Sequence, residues 1–332
     1  MSAVTTPDLE APELTEGTRA RGLFDFLRRS PKATTGAFIV LFFIVAAIVG
    51  PLVAPYDPSA TSHLVLRSPS PADLLGTTQS GQDVLSQLLV GTAPTLELGF
   101  LAAAIATVLS VIVGVASGYL AGIAGETLSS LANVFLVIPA LPLIIVIVAY
   151  LPNKGTVATG VVIAVTGWAW GARILRAQTL SLRNRDHIVA ARAIGERTWR
   201  IMFVEMLPGL LPIIISGFLF TSVFAIVTYV GLAFLGLTDI SSWNWGTMLY
   251  WAQNDQAFTL NAWWWYIPPG LCIALLGMAL GLINFGIDEL MNPRLRVERG
   301  EGKRRRARRR AHQSDDPATI GAAPAARAST GR

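Results

Sequence analysis

Long stretches of this sequence contain no Asp, Glu, Lys or Arg, among them those between Lys32 and Asp57, Glu97 and Glu126, Glu126 and Lys154, and Glu205 and Asp239. Each can hold a helix that crosses a bilayer, because about 20 apolar residues at 1.5 Å rise span the hydrocarbon core. Helices are the default, since an open sheet leaves backbone groups unpaired in lipid. Composition agrees, with 52% hydrophobic and 14% charged residues against roughly 25% charged in a soluble domain. The chain therefore reads as an all-α integral membrane protein with six transmembrane helices, at 35–54, 96–121, 128–150, 156–173, 210–237 and 264–287. The first run begins too far from Met1, and is too long, for a secretory signal.

The basic residues set an orientation. Segments 1–34, 173–200 and 291–332 hold 5, 7 and 12 of the 26 Lys and Arg residues, while the segments assigned outside hold only Arg67 and Lys154. By the positive-inside rule both termini face the cytoplasm. This divides the chain into a cytoplasmic tail (1–34), a first span (35–54), an extracytoplasmic segment (55–95), a core of five spans (96–290) with a cytoplasmic loop at 184–207, and a basic cytoplasmic tail (291–332). Neither tail has the apolar periodicity of a packed core. The tract from Lys303 to Arg310 reads as a positive-inside signal that meets anionic headgroups, not as a nucleic-acid site.

Several chemistries are excluded. No ionisable group sits mid-span, where an ion-coupled carrier or proton pump usually needs one, so energy must enter from elsewhere. His63, His187 and His312 all lie outside the spans, no HExxH occurs, and none of Lys32, Lys154 or Lys303 follows a phosphate-cradling glycine loop. No catalytic, cofactor or metal residue is assigned to this chain. The single cysteine, Cys272, offers neither a disulfide nor a cysteine metal site. Pro139 and Pro142 should kink the third span. Trp243, Trp245, Trp251, Trp263, Trp264 and Trp265 read as an interfacial aromatic belt in preference to a stacking platform for solute, and Trp168 and Trp170, ahead of Arg173 and Arg176, read likewise as anchors.

The charged run between the fourth and fifth spans, RNRDHIVAARAIGERTWRIMFVEMLPGLLPIII from Arg183, has a different character. Asp186 and Thr198 are plausible helix caps, and Gly195 separates a short helix through Ala190 and Ala191 from a second one running into Pro208. Small side chains at Ala190 and Ala191, presented by a turn at Gly195, form a knob that another protein can approach closely.

This loop resembles that of the permease subunits of ATP-binding-cassette importers, with the pattern EAA, three residues, G, nine residues, I-x-L-P. Ala190, Ala191, Gly195, Leu207 and Pro208 match; Val189 stands for the glutamate and Glu205 for the isoleucine. The run from Leu74, LLGTTQSGQDVLSQLLVGTAPTLELG, resembles the dipeptide, oligopeptide and nickel importers, whose pattern is LGTDxxGRDVLSRLLxGxRxSLxxG. Here Thr78 stands for the aspartate, and Gln82 and Gln87 for two arginines. LAFLGL from Leu232, WNWGTML from Trp243 and NPRLR from Asn292 resemble further signatures of that family. LGT and GQD themselves are turn chemistry.

The resemblance implies a type I importer permease fold. It implies a second homologous permease sharing the path, cytoplasmic ATPase subunits or domains that bind ATP and Mg and dock on a loop carrying Ala190, Ala191, Arg192, Gly195, Leu207 and Pro208, and an extracytoplasmic binding protein. The location implied is the cytoplasmic membrane of a prokaryote. Di- or oligopeptides are the implied solute; oligosaccharides, and with less support nickel, are alternatives, and a membrane scaffold or receptor is the reading from another class.

Overall fold

A computed structural model of the chain describes residues 30–61, 64–152 and 155–291. Residues 1–29 and 292–332 of the tails, with the Lys303 tract, NPRLR and His312, and also His63 and Lys154, lie outside the described residues. The chain divides into a large unit, Met1–Ile287, and a short one, Asp288–Arg332. Of the second, only the first four residues belong to the described part.

The described residues contain helices and no strand. In chain order these are α1 (Pro31–Val53), α2 (Val84–Tyr119), α3 (Ile123–Val137), α4 (Ala140–Tyr150), α5 (Thr156–Leu182), α6 (Asp186–Ala193), α7 (Thr198–Arg200), a π turn (Ile201–Met206), α8 (Leu207–Phe234), α9 (Trp245–Asn254) and α10 (Trp263–Met291). Five runs are long and apolar enough to cross a membrane, and α3 with α4, bent by 85°, makes a sixth if the pair is one span.

The elements depart from the sequence expectations in specific places. The third span is not a kinked rod: Ile138 and Pro139 are extended, so the chain breaks between α3 and α4. Helix α2 begins at Val84, twelve residues before the expected start at Leu96 and inside the segment assigned as extracytoplasmic. Its cap is Asp83, whose Oδ2 accepts from the backbone N–H of Ser86 at 2.7 Å and from its Oγ at 2.6 Å. At 36 residues, α2 is about 54 Å long, well beyond the hydrocarbon thickness. Helix α5 likewise continues nine residues past Arg173 to Leu182. Residues Thr198–Phe234 form one 37-residue run. Pro208 would clash with the carbonyl of Val204 in regular α geometry, and the wide turn Ile201–Met206 just before it lets the helix continue.

Helices α2 and α5 form the centre. A Cβ at Gly114 would lie 2.7 Å from the Ala172 carbonyl oxygen, and one at Gly118 would lie 2.7 Å from Thr179 Cβ. The two backbones touch through this small-xxx-small stripe, which association in lipid favours. Ser110 Oγ donates across the contact to the Trp168 carbonyl at 2.6 Å. One core cluster joins Leu98, Ile144, Ile163, Trp168, Tyr229 and Leu232; another joins Phe43, Trp245, Met248, Trp265 and Leu276. The outer faces remain apolar, as at Phe38, Leu52 and Phe285, and so need lipid or another subunit.

Candidate functional site

The loop between α5 and α8 is built as a helix, a tight turn and a second helical start. Helix α6 is capped by the backbone of Arg185, so Asp186 is its first helical residue and not its cap; Thr198 is likewise the first residue of α7, after Arg197. Asp186 in the first turn and Arg192 in the last each suit the helix dipole.

At the other end of α6 the Gly195 N–H donates to the Arg192 carbonyl and the Glu196 N–H to the Ala191 carbonyl, both at 3.1 Å. This pair of bonds is a Schellman ending, which requires a left-handed residue at the glycine. Gly195 supplies it, with φ +81°. The expected break at this glycine is present, and its cause is the carbonyls it satisfies.

The loop rests on the ends of α2 and α5. Ile188, Ile201 and Met206 are buried together against Tyr119 and Leu182, and the Arg192 guanidinium lies 5.3 Å from the Tyr119 ring centroid, within cation–π range. Arg183 Nη1 donates to the Gly118 carbonyl at 3.4 Å, and Arg200 pairs with Glu196 one turn away. Within this frame Ala190 is exposed, whereas Ala191 is half-buried and packs on the Ile188 cluster. The two alanines therefore do not form one knob: Ala190 faces outward and Ala191 lets the helix sit close to its own support.

Leu207 and Pro208 stand apart, beyond the π turn at the start of α8. The outward face instead adds apolar residues that spacing alone did not single out. Val189 is 49% exposed, Ile194 79% and Trp199 55%. Their signal was present in the sequence as large apolar side chains inside an otherwise charged segment.

The opposite end of the bundle explains the other strings. Gly76 and Gly81 take φ near +70°, which confirms the turn reading of LGT and GQD. The three departures at Thr78, Gln82 and Gln87 form one neutral network: the Gln82 N–H donates to Thr78 Oγ1 at 3.1 Å, and Gln87 Nε2 donates to Gln82 Oε1 at 2.9 Å. In LAFLGL, Gly236 has φ +71° and ends α8, with the Leu237 N–H on the Leu232 carbonyl. In WNWGTML, Asn244 and Thr247 form a capping box for α9, and a Cβ at Gly246 would lie 2.6 Å from Ala233 Cβ.

The tryptophans do not form one belt. Trp245 (0% exposed) and Trp265 (2%) are core residues, and Trp245 Nε1 donates to the Leu88 carbonyl at 3.4 Å. Trp264 Nε1 donates to the Thr77 carbonyl and Trp251 Nε1 to the Ile240 carbonyl. Trp263 is 52% exposed. Trp168 is buried against Phe135, while Trp170 is exposed.

A groove runs along α8 past the α3–α4 elbow. One cleft of about 570 Å³ is lined by Leu141, Ile145, Phe220, Phe224 and neighbours, and a second of about 290 Å³ by Pro139, Thr166, Trp170, Phe220 and Thr221 among others.

Long apolar helices with a short helix-and-turn loop packed on the ends of two of them define a membrane-spanning subunit. The chain belongs to the family described as binding-protein-dependent transport system inner membrane components, whose model matches residues 106–297, and it is thus a permease component of an ABC importer. Residues 21–71 match the N-terminal TM domain of oligopeptide transport permease C. It is 31% identical over 306 residues to the di/tripeptide transport system permease protein DppC of Pseudomonas aeruginosa, covering 89% of this chain and 99% of that one. It is 30% identical to the oligopeptide transport system permease protein OppC of Bacillus subtilis, covering 81% and 88%. A chain of the MetNI methionine ABC transporter in an inward-facing conformation is similar at 21% identity and a TM-score of 0.49, over 61% of this chain and 94% of that one.

Proposed function

We propose that this chain is the permease subunit of a peptide importer in a prokaryotic cytoplasmic membrane, with both termini in the cytoplasm. With a second, related permease it forms a path for di- or oligopeptides; ATPase subunits that bind ATP and Mg dock on the loop around Ala190 and Gly195, and an extracytoplasmic binding protein delivers the solute. The observation that carries the coupling is the exposed face of Val189, Ala190 and Ile194, held by a Schellman turn on the ends of α2 and α5. A rigid loop of that kind transmits a push on α6 to two long helices. Small shifts become global ones when a packed element has two arrangements that a ligand contacts differently. The peptide assignment is supported by the names of the relatives. It is tested by uptake of a labelled tripeptide in cells with and without this gene: loss on deletion and recovery on re-expression are expected, and unchanged uptake with loss of a different solute's import would overturn it.

A further inference from the structure

Two arginines at the loop end of α5 have no part in the coupling just described. Thr166, Trp170, Arg173 and Arg176 recur at three- and four-residue intervals and so share one face of α5. Thr166 and Trp170 line the cleft beside the elbow, and Arg173 and Arg176 line the next one, a polar pocket of about 180 Å³ completed by Ser117 of α2 and Ser129 and Asn133 of α3. The described lining of the two larger clefts carries no ionisable side chain. The arginine pair is thus the first fixed charge met along this face.

The pocket lacks an anion of its own. Among the described residues the ion pairs are Arg67 with Asp73 and Arg200 with Glu196; Glu126, on the first turn of α3, forms none with either arginine. The Nε of Arg176 is buried with no hydrogen-bond partner, a state that disfavours the empty pocket. Guanidinium forks match planar carboxylates in geometry and charge, and two serines and an asparagine add neutral donors.

We propose that this pocket receives the C-terminal carboxylate of the transported peptide at the loop end of the groove. The inference rests on the peptide-permease reading. At about 180 Å³ the pocket has room for one end of a peptide. An ammonium terminus would be repelled, so the pocket selects which end it holds. Arg173 is exposed, so water competes for the carboxylate and the contact suits release.

The test uses vesicles carrying the complete transporter with its ATPases outward and binding protein plus trialanine in the lumen. ATP hydrolysis is followed while trialanine or trialanine amide is added outside, where the binding protein is absent. Free trialanine should inhibit at a concentration at least about tenfold below that of the amide, the ratio supported by one charge-assisted hydrogen bond. Arg173→Gln and Arg176→Gln should each reduce that ratio to below about threefold, and Arg176→Lys should retain part of it. Equal inhibition by the two compounds in the wild type, or a ratio unchanged in both glutamine variants, overturns the proposal. So does a response of the variants to phosphatidylglycerol content alone, which would make the pocket a headgroup seat. If loaded binding protein stimulates no hydrolysis in the wild type, the peptide reading itself fails and the pocket's assignment falls with it.

Discussion

Replacing Gly195 by alanine isolates the backbone's share in the proposed coupling by this loop. The residue has φ +81°, and no heavy atom lies within 4 Å of where a Cβ would stand, so the substitution meets no clash. What remains is the left-handed strain of an L residue, about 1–2 kcal/mol. If the free loop relaxes away from the Schellman turn and must regain it on docking, ATPase affinity falls about 5- to 30-fold. Gly195→Val should fall further, because a β-branched residue is a stronger outlier at positive φ, and Gly195→Asn should stay near the wild type, since asparagine tolerates this region. Gly122 is the more stringent control: with φ +71° and ψ −152° it occupies a region that is essentially glycine-only, its Cβ site is equally open, and it lies in the α2–α3 turn outside the loop. The assay is titration of purified ATPase subunits onto the detergent-solubilised permease pair. A Gly195→Ala dissociation constant within twofold of the wild type, or an equal loss with Gly122→Ala, refutes the reasoning.

Other substitutions follow from the packing. Ala191→Trp, set against Ile188, Ile201 and Met206, should destabilise the loop by about 1–3 kcal/mol through overfilling, seen as faster proteolysis between α5 and α8. Trp245→Phe, which loses a buried ring and its bond to the Leu88 carbonyl, should lower thermal stability by about 1–3 kcal/mol, whereas Trp263→Phe should leave both stability and uptake near the wild type. Gln87→Arg alone places an unpaired charge at a site 1% exposed and should cost about 3 kcal/mol or more; adding Thr78→Asp and Gln82→Arg should recover part of that loss in the same unfolding assay.

The long helices were legible because the absence of charge over twenty or more residues leaves little else to form in lipid. The loop between α5 and α8 was legible through Gly195, whose only conformational advantage is the turn it makes. Other features depended on tertiary contacts that spacing does not record. The first turns of α2 hold across Pro94 because Asp83 caps them and Gly91 lets them approach Asn244. Helix α9 is too short for hydropathy to reveal and is fixed by its capping box. The elbow at Pro139 looked like a kink because a proline alone does not say whether the next residues resume the same axis. Ala190 and Ala191 are equivalent in size, and only the Ile188 cluster separates them: Ala191 packs on it and Ala190 is exposed.

The claim that this subunit is driven through its loop meets its most direct test at Ala190, which is exposed. In vesicles containing both permeases, the ATPases and peptide-loaded binding protein, hydrolysis and peptide transport by wild-type and Ala190→Trp complexes should be measured together. The account predicts that the variant inserts and pairs with the second permease but loses ATPase association and coupled transport; wild-type association and coupling in the variant would contradict it.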